Sequence, residues 1–308
     1  MIELDRVSKR FGAALVVDDL LLAIGKGEFC VLIGPSGSGK STTLRMINRL
    51  IPQSAGTIRF DGTDIARFKG EELRRRMGYV IQSVGLFPHW TVERNIATVP
   101  ELLAWPAAKI RDRVTELLIL LKLDPASIRG KYPHQLSGGQ QQRIGIARAL
   151  AADPDMLLMD EPFGALDPLT REALQAELAR IQRDSGKTVI LVTHDMEEAL
   201  KLASRIALMD KGRLVQFGTP FELLTAPAND FVADFTAHED HGLKLLTVAT
   251  AAGRARAGES APGEPIAGDA SLRHALSQMI SRRTDRLPVR DGEGRPLGVL
   301  HLADIVKR

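Results

Sequence analysis

Cysteine is nearly missing from this chain: Cys30 is the single one in 308 residues. An intrachain disulfide is thereby excluded, and the usage fits a reducing compartment, with Cys30 read as a small buried apolar residue of a core strand. Long apolar runs are missing too. The richest segment, Leu117 to Leu121, falls far short of the roughly 18 residues that a membrane span requires, so work at a membrane needs a partner. The basic-then-apolar layout of a secretory leader is also lacking, since Glu3 and Asp5 occupy the start, and none is expected. Charge of one sign is not in excess. The net formal charge is +3, and residues 236–308 hold 11 basic and 9 acidic side chains, which places most of that surplus in the tail. This balance offers no electrostatic case for nucleic acid as a partner.

What is present is organised around Gly34-Pro35-Ser36-Gly37-Ser38-Gly39-Lys40-Ser41, which matches G-x-x-x-x-G-K-[ST] and follows the apolar run Phe29 to Ile33. Glycines let the backbone curl until several N–H groups converge on phosphate oxygens, and a helix starting near Gly39 adds its positive end. Lys40 is placed to reach the β- and γ-phosphates of a nucleotide, and the Ser41 hydroxyl to ligate Mg²⁺.

The length suits two domains, and 44% hydrophobic content is ordinary for a globular protein. Ile2 to Leu22 alternates loosely and reads as short strands. Thr57 to Phe60 followed by Asp61-Gly62 reads as a strand entering a tight hairpin. Tyr79 to Ile81 reads as a strand ending at Gln82. Lys109 to Leu121 has the apolar spacing of an amphipathic helix. Met156 to Met159 and Val189 to Val192 are unbroken apolar runs, as suits parallel strands buried on both faces. Each ends in a polar residue at the carboxyl edge, where open α/β sheets place their ligands.

Asp160-Glu161 closes the first of those runs. Hydrolysis of a nucleoside triphosphate needs one carboxylate near Mg²⁺ and another to orient the attacking water, and adjacent residues at a strand end can supply both. Leu136-Ser137-Gly138-Gly139-Gln140 then offers a second anion site, because Ser137 caps a helix and two glycines expose its first N–H groups. One nucleotide does not need both sites.

With these motifs in order, residues 1–235 resemble the ATP-binding cassette (ABC) family. The resemblance implies an α/β phosphate-loop NTPase with a mostly parallel core sheet, an antiparallel β subdomain and a helical signature subdomain. It also implies that Ser137, Gly138, Gly139 and Gln140 contact the ATP held by the other subunit of a head-to-tail homodimer, and that residues 34–41 with Thr42 hold the chain's own. Phe11 matches the position that stacks on adenine, where Tyr is usual. Gln82 matches the loop glutamine that touches Mg²⁺ and the attacking water, Asp160 the Mg²⁺-coordinating aspartate and Glu161 the catalytic glutamate. Ala165-Leu166-Asp167 matches the loop that crosses the dimer, and His194 the switch histidine at the γ-phosphate. Lys40, Gln82, Glu161 and His194 are thus the implied catalytic set, with Ser41, Gln82 and Asp160 around the metal.

Met46 to Ile51 and Ile81 to His89 are similar to the ATPase subunits of osmoprotectant importers, which move glycine betaine, choline, carnitine or proline. The implied partners are permease subunits docked near Gln82 to Asn95, where Phe87 and Trp90 suit a groove, and through them a substrate-binding protein. The implied location is the cytoplasmic face of the inner membrane. The alternatives are an ABC importer subunit for a different solute; a soluble ABC ATPase acting on ribosomes or DNA, disfavoured by the single cassette, the absence of long coiled-coil insertions and the missing basic surplus; and a small-molecule kinase, disfavoured by the signature at Ser137.

Residues 236–268, rich in Ala, Gly, Glu, Pro and Ser towards their end, read as a flexible linker. Residues 269–308 resemble a single cystathionine-β-synthase-type (CBS) repeat of small α+β form, through Leu287-Pro288-Val289, Pro296 to Leu300 and Asp304. Asp304 matches a ribose-contacting aspartate, whereas His301 stands where Thr or Ser is usual. Pairing of two tails is expected, because about 40 residues alone bury too little surface. Arg282, Arg283 and Arg286 form either a solvated face or a contact for anionic lipid. His238 and His241 have no further ligand cluster beside them, and no metal site is expected there.

Overall fold

The computed structural model describes residues 1–82, 85–237 and 240–305. Ser83 and Val84 of the importer-like stretch, His238 and Glu239 of the H-x-x-H stretch, and Lys307 at the expected end of the last helix lie outside the described residues. Two compact units divide between Phe217 and Gly218.

In the first unit, β1 (Ile2–Phe11) and β2 (Ala14–Ile24) pair antiparallel. β3 (Phe29–Ile33) follows and leads into the helix Lys40–Ile47. β4 (Ala55–Phe60) lies antiparallel on the other side of β1 and returns as β5 (Thr63–Asp64). The hairpin between them is tight because Asp61 and Gly62 both take positive φ, at 49° and 76°, matching the right-handed twist of its strands. This four-stranded sheet has the order β2-β1-β4-β5.

The larger sheet adds β6 (Met77–Val80), β7 (Met156–Asp160), β8 (Thr188–Val192), β9 (Arg205–Asp210) and β10 (Arg213–Gly218) to β3, in the order β10-β9-β3-β8-β7-β6. Its pairs β9/β3, β3/β8, β8/β7 and β7/β6 are all parallel. Every residue of β3, β7 and β8 is buried, which is why their sequences run apolar without alternation. Cys30 is fully buried there, and burial pushes its thiol pKa far up. Helices Val92–Leu102, Ala107–Leu120 and Gly138–Leu150 pack on one another as a helical subdomain.

The second unit, Gly218–Arg308, differs from expectation in its first half. The stretch 236–268, expected to be a flexible linker, holds the helix His241–Val248, a 3₁₀ turn at Ala252–Arg254 and β11 (Ile266–Ala267). Ala251 is fully buried, with Leu246 and Ala249 packed against the same core. Arg256 exchanges backbone hydrogen bonds with Val299, N to O at 2.8 Å and 3.1 Å. The close approach is permitted from the other side, by Gly298 of the strand that follows: a Cβ there, where φ is 136°, would lie 2.2 Å from the Arg256 carbonyl oxygen. β11 pairs parallel with β12 (Arg286–Arg290), and β12 antiparallel with β13 (Pro296–His301). Helix Leu272–Arg282 covers this sheet with Leu272, Ala275 and Met279. The compact unit therefore begins well before residue 269, and it takes in residues 218–235, which were expected with the first domain and which form the helix Pro220–Thr225 and most of the helix Asp230–Ala237.

Candidate active site

The chain leaves β3 at Ile33 and must turn at once. Gly34 takes a φ of 147°, and a Cβ there would lie 2.0 Å from the Met209 carbonyl oxygen of β9, so only glycine fits between the strand end and its neighbour. Pro35 is half-buried, Ser36 and Gly37 are exposed at the crest of the loop, and Ser38 is buried. Gly39 caps the helix Lys40–Ile47 in the left-handed region, and Thr42 lies in the first turn. The Lys40 ammonium donates to the carbonyls of Gly34 and Pro35, both at 2.7 Å, and to Ser38 Oγ at 3.3 Å. Burial lowers its pKa below the ordinary lysine value, while the negative charges of Glu161 and Asp160 act the other way.

β7 brings the acidic pair alongside. The Ser41 hydroxyl donates to Asp160 Oδ1 at 2.6 Å, and the Asp160 carboxylate is buried. Glu161 has a φ of 46°, a strained value for a residue with a side chain, and its N–H donates to the Val192 carbonyl of β8 at 3.0 Å. That turn aims its carboxylate between two groups: Gln82 Nε2 donates to Glu161 Oε2 at 3.2 Å, and His194 Nδ1 lies 3.5 Å from Oε1. Ser41, Gln82, Asp160, Glu161 and His194 thus gather at the carboxyl ends of β3, β6, β7 and β8, beside Lys40.

Arg45 is a neighbour that motif reading passes over. Its Nη2 lies 3.8 Å from Asp160 Oδ2. The signal was available, since Arg45 follows Ser41 by one helical turn and shares its face.

Ser137, Gly138, Gly139 and Gln140 belong to a separate group. Ser137 caps the helix Gly138–Leu150 by accepting from Gln140 N–H at 3.3 Å, and Gln140 Oε1 accepts in return from Ser137 N–H at 3.0 Å. Both Ser137 and Gly138 are exposed. Gly139 passes so near the following helix that a Cβ would lie 2.4 Å from Thr170 Cγ2. That helix, Pro168–Ser185, is capped by Asp167, whose carboxylate accepts from Thr170 N–H at 3.0 Å, and the bonds from Thr170 hold the Asp167 pKa down. Phe11 closes β1 and is 49% exposed, with Lys9 Nζ 4.8 Å from its ring centroid.

Near Gln82 the surface is concave. A cavity of about 330 Å³ is lined by Met77, Tyr79, Ile81, Phe87 and Val99 among others, with Arg74 and Arg75 also contributing. The Phe87 and Trp90 rings lie 4.4 Å apart. Buried Asn95 clamps their loop, accepting from Phe87 N–H at 2.8 Å and donating to the carbonyls of Phe87, Trp90 and Thr91.

A glycine loop between a buried parallel strand and a helix, with an acidic pair ending another strand of the same sheet, defines a phosphate-loop nucleoside triphosphatase. Sequence comparison narrows the class. The ABC transporter profile matches residues 17–164, and the CBS domain profile residues 265–308. The glycine betaine uptake system ATP-binding protein YehX of Escherichia coli K12 is 56% identical over 99% of each chain. The glycine betaine/carnitine/choline transport ATP-binding protein OpuCA of Bacillus subtilis 168 is 48% identical over 94% of this chain and 76% of its own. Among solved structures, a dimeric ATP-binding cassette in a post-hydrolysis state with ADP and Pi superposes with a TM-score of 0.65, at 33% identity over 71% of this chain and 98% of that one. The chain belongs to the ABC transporter family, and it is an ATP-binding, transport-coupled ATPase carrying a CBS domain at its C-terminal end.

Proposed function

We propose that this chain energises import of an osmoprotectant, a quaternary amine such as glycine betaine, choline or carnitine, or proline, through a separate permease. The observation that carries this reading is the near full-length similarity to the glycine betaine uptake subunit.

In this reading the N–H groups of residues 34–39 and the Lys40 ammonium bind the ATP phosphates, Thr42 supports them, and Phe11 stacks on adenine. Lys40 must exchange its carbonyl partners for phosphate oxygens on binding. Ser41, Gln82 and Asp160 present a hydroxyl, a carboxamide and a carboxylate, an all-oxygen set that fits Mg²⁺. Mg²⁺ would supply charge neutralisation at the β- and γ-phosphates. Glu161 accepts the proton of the attacking water, Gln82 holds the Glu161 carboxylate in place, and His194 stabilises charge at the γ-phosphate.

The exposed capping turn at Ser137 to Gln140 is incomplete by itself and suits a nucleotide held by a second copy, with Asp167 crossing between the two. The concave surface beside Gln82 suits a permease segment, so that ATP occupancy and transport communicate through one loop. The similarity to uptake and import ATP-binding subunits supports attachment at the cytoplasmic face through permease subunits that also meet a substrate-binding protein. No helix among the described residues is long and apolar enough to cross a membrane. Nucleic acid is not a partner in this reading.

Reconstitution of the complex in vesicles tests it. ATP-driven uptake of labelled betaine, choline or proline is expected, and it should vanish with Lys40→Ala. ATP hydrolysis by the complex without uptake of any of these compounds would overturn the substrate assignment.

A further inference from the structure

One buried carboxylate has no part in the mechanism above. Glu198 lies on the helix Met196–Leu202 and is 6% exposed. Gln175 Nε2 donates to its Oε1 at 3.1 Å, and the Thr193 hydroxyl donates to its Oε2 at 2.7 Å. Gln175 and Thr193 are themselves buried. A buried carboxylate is costly unless its donors are fixed, so the three side chains hold one another in a single arrangement.

That arrangement surrounds His194. Thr193 Oγ1 also accepts from the N–H of Asp195 at 3.0 Å, which ties the residues on either side of the histidine. Asp195 caps its helix by accepting from the N–H groups of Glu197 and Glu198, and its carboxylate lies 3.8 Å from Arg171 Nη1. Arg171 in turn donates through Nη2 to the Leu166 carbonyl at 3.2 Å. Asp167 caps the helix Pro168–Ser185, and Arg171 and Gln175, four residues apart, share one face of it. The loop Ala165-Leu166-Asp167 is therefore connected through Arg171 to Asp195, and the helix that Asp167 caps also carries Gln175, whose bond to Glu198 leads on to Thr193.

We propose that Glu198 is a positioning residue for His194, and that with Gln175 and Arg171 it transmits the placement of the Leu166–Asp167 loop to the histidine beside Glu161. The inference rests on the reading that His194 acts in ATP hydrolysis. Glu198 touches neither nucleotide nor reacting atoms; it sets the direction of the His194 backbone. A displaced imidazole loses its approach to Glu161, and misplacement by about 1 Å costs on the order of 10²-fold in rate.

The test uses the full chain and measures ATP turnover together with binding of a fluorescent ATP analogue. Glu198→Ala should lower kcat by roughly 10- to 100-fold with the dissociation constant unchanged within about twofold. Glu198→Gln, which keeps the acceptor for the Thr193 hydroxyl and lets the Gln175 amide turn to meet the new NH₂, should recover turnover to within about threefold of the parent. Combined with His194→Ala, Glu198→Ala should cost almost nothing more, because groups acting as a unit are not additive. Gln175→Met keeps about the same volume and removes the carboxamide that donates to Glu198; it should lower kcat at least about fivefold, and it stands in if Glu198→Ala does not fold. Turnover within about twofold of the parent in Gln175→Met or a folded Glu198→Ala, or losses that multiply in the double variant, would overturn the inference. Retention of hydrolysis by His194→Ala alone would instead remove the reading of the site on which the inference depends.

Discussion

Ser41 and Asp160 stand 119 residues apart in sequence, and the hydroxyl of one donates to the carboxylate of the other at 2.6 Å. The contact joins the loop that cradles phosphate to the strand that carries the acidic pair. It makes Asp160 part of the loop's wall and leaves the next residue, Glu161, turned towards Gln82 and His194.

Glu161→Gln keeps the shape of that side chain and removes its basicity. Turnover of ATP should fall roughly 10²- to 10⁴-fold, the usual loss when a positioned general base is removed, with binding of ATP retained. Stopped-flow phosphate release and equilibrium binding on the same sample check this. Near-normal phosphate release would dismiss Glu161 as the base.

Glu198→Gln has a second consequence, in stability against pH. Burial raises the Glu198 pKa above its ordinary value of 4.5, and nearby Asp195 adds to this while Arg171 and the bonds from Thr193 and Gln175 oppose it. The folded state thus binds the proton more tightly than the unfolded one. The stability this group contributes is present below about pH 4.5 and is lost as pH rises through the folded pKa. The variant escapes that loss, so its stability relative to the parent should increase between about pH 4 and pH 8 in urea titrations. A difference that is flat or falls with pH would contradict it.

Cys30 should be inert in the folded protein. It is fully buried, and both burial and the charge of Glu28 disfavour the thiolate, which is the reactive form. A thiol reagent added at neutral pH should label the chain only after denaturant is added, with one equivalent consumed. Stoichiometric labelling of the native chain within minutes would show that β3 opens on that timescale.

Arg256→Ala should loosen the strap laid along β13. The guanidinium donates twice to Asp304, at 2.8 Å and 3.1 Å, while the backbone of Arg256 pairs with Val299. Hydrogen exchange of the Arg256 and Val299 amides should accelerate about tenfold or more, with amides of the helix Lys40–Ile47 unaffected. Unchanged exchange at Val299 would mean that the backbone pairing holds without the ion pair.

The parts of the molecule legible in the sequence are those with few physical alternatives. Gly34 and Gly39 are dictated by backbone that no side chain can enter, and the apolar runs of β7 and β8 by burial on both faces. The turn at Asp61-Gly62 was legible because a two-residue hairpin needs positive φ at both positions, which Asp and Gly tolerate. Residues 236–268 were not, because Ala and Gly look alike whether they are loose in solvent or packed like Ala251, and only distant partners such as Val299 decide. Glu198 escaped motif reading because its meaning lies in contacts with Thr193 and Gln175, which periodicity alone does not reveal, whereas the helical spacing of Arg45 from Ser41 already placed it on the face towards Asp160.

The position of β3 in its sheet also bears on how the protein is made. β3 leaves the ribosome early, yet its two neighbours are β8 and β9, which arrive only when the chain has grown to Asp210. Until then Gly34 has no Met209 carbonyl to press against, and a chain halted before that point carries the phosphate-binding sequence without the wall that shapes it. Pairings so distant in sequence close slowly. For much of synthesis β1, β2 and β4 can fold beside an uncovered apolar strand, and that interval is when a nascent chain of this kind most needs protection from aggregation.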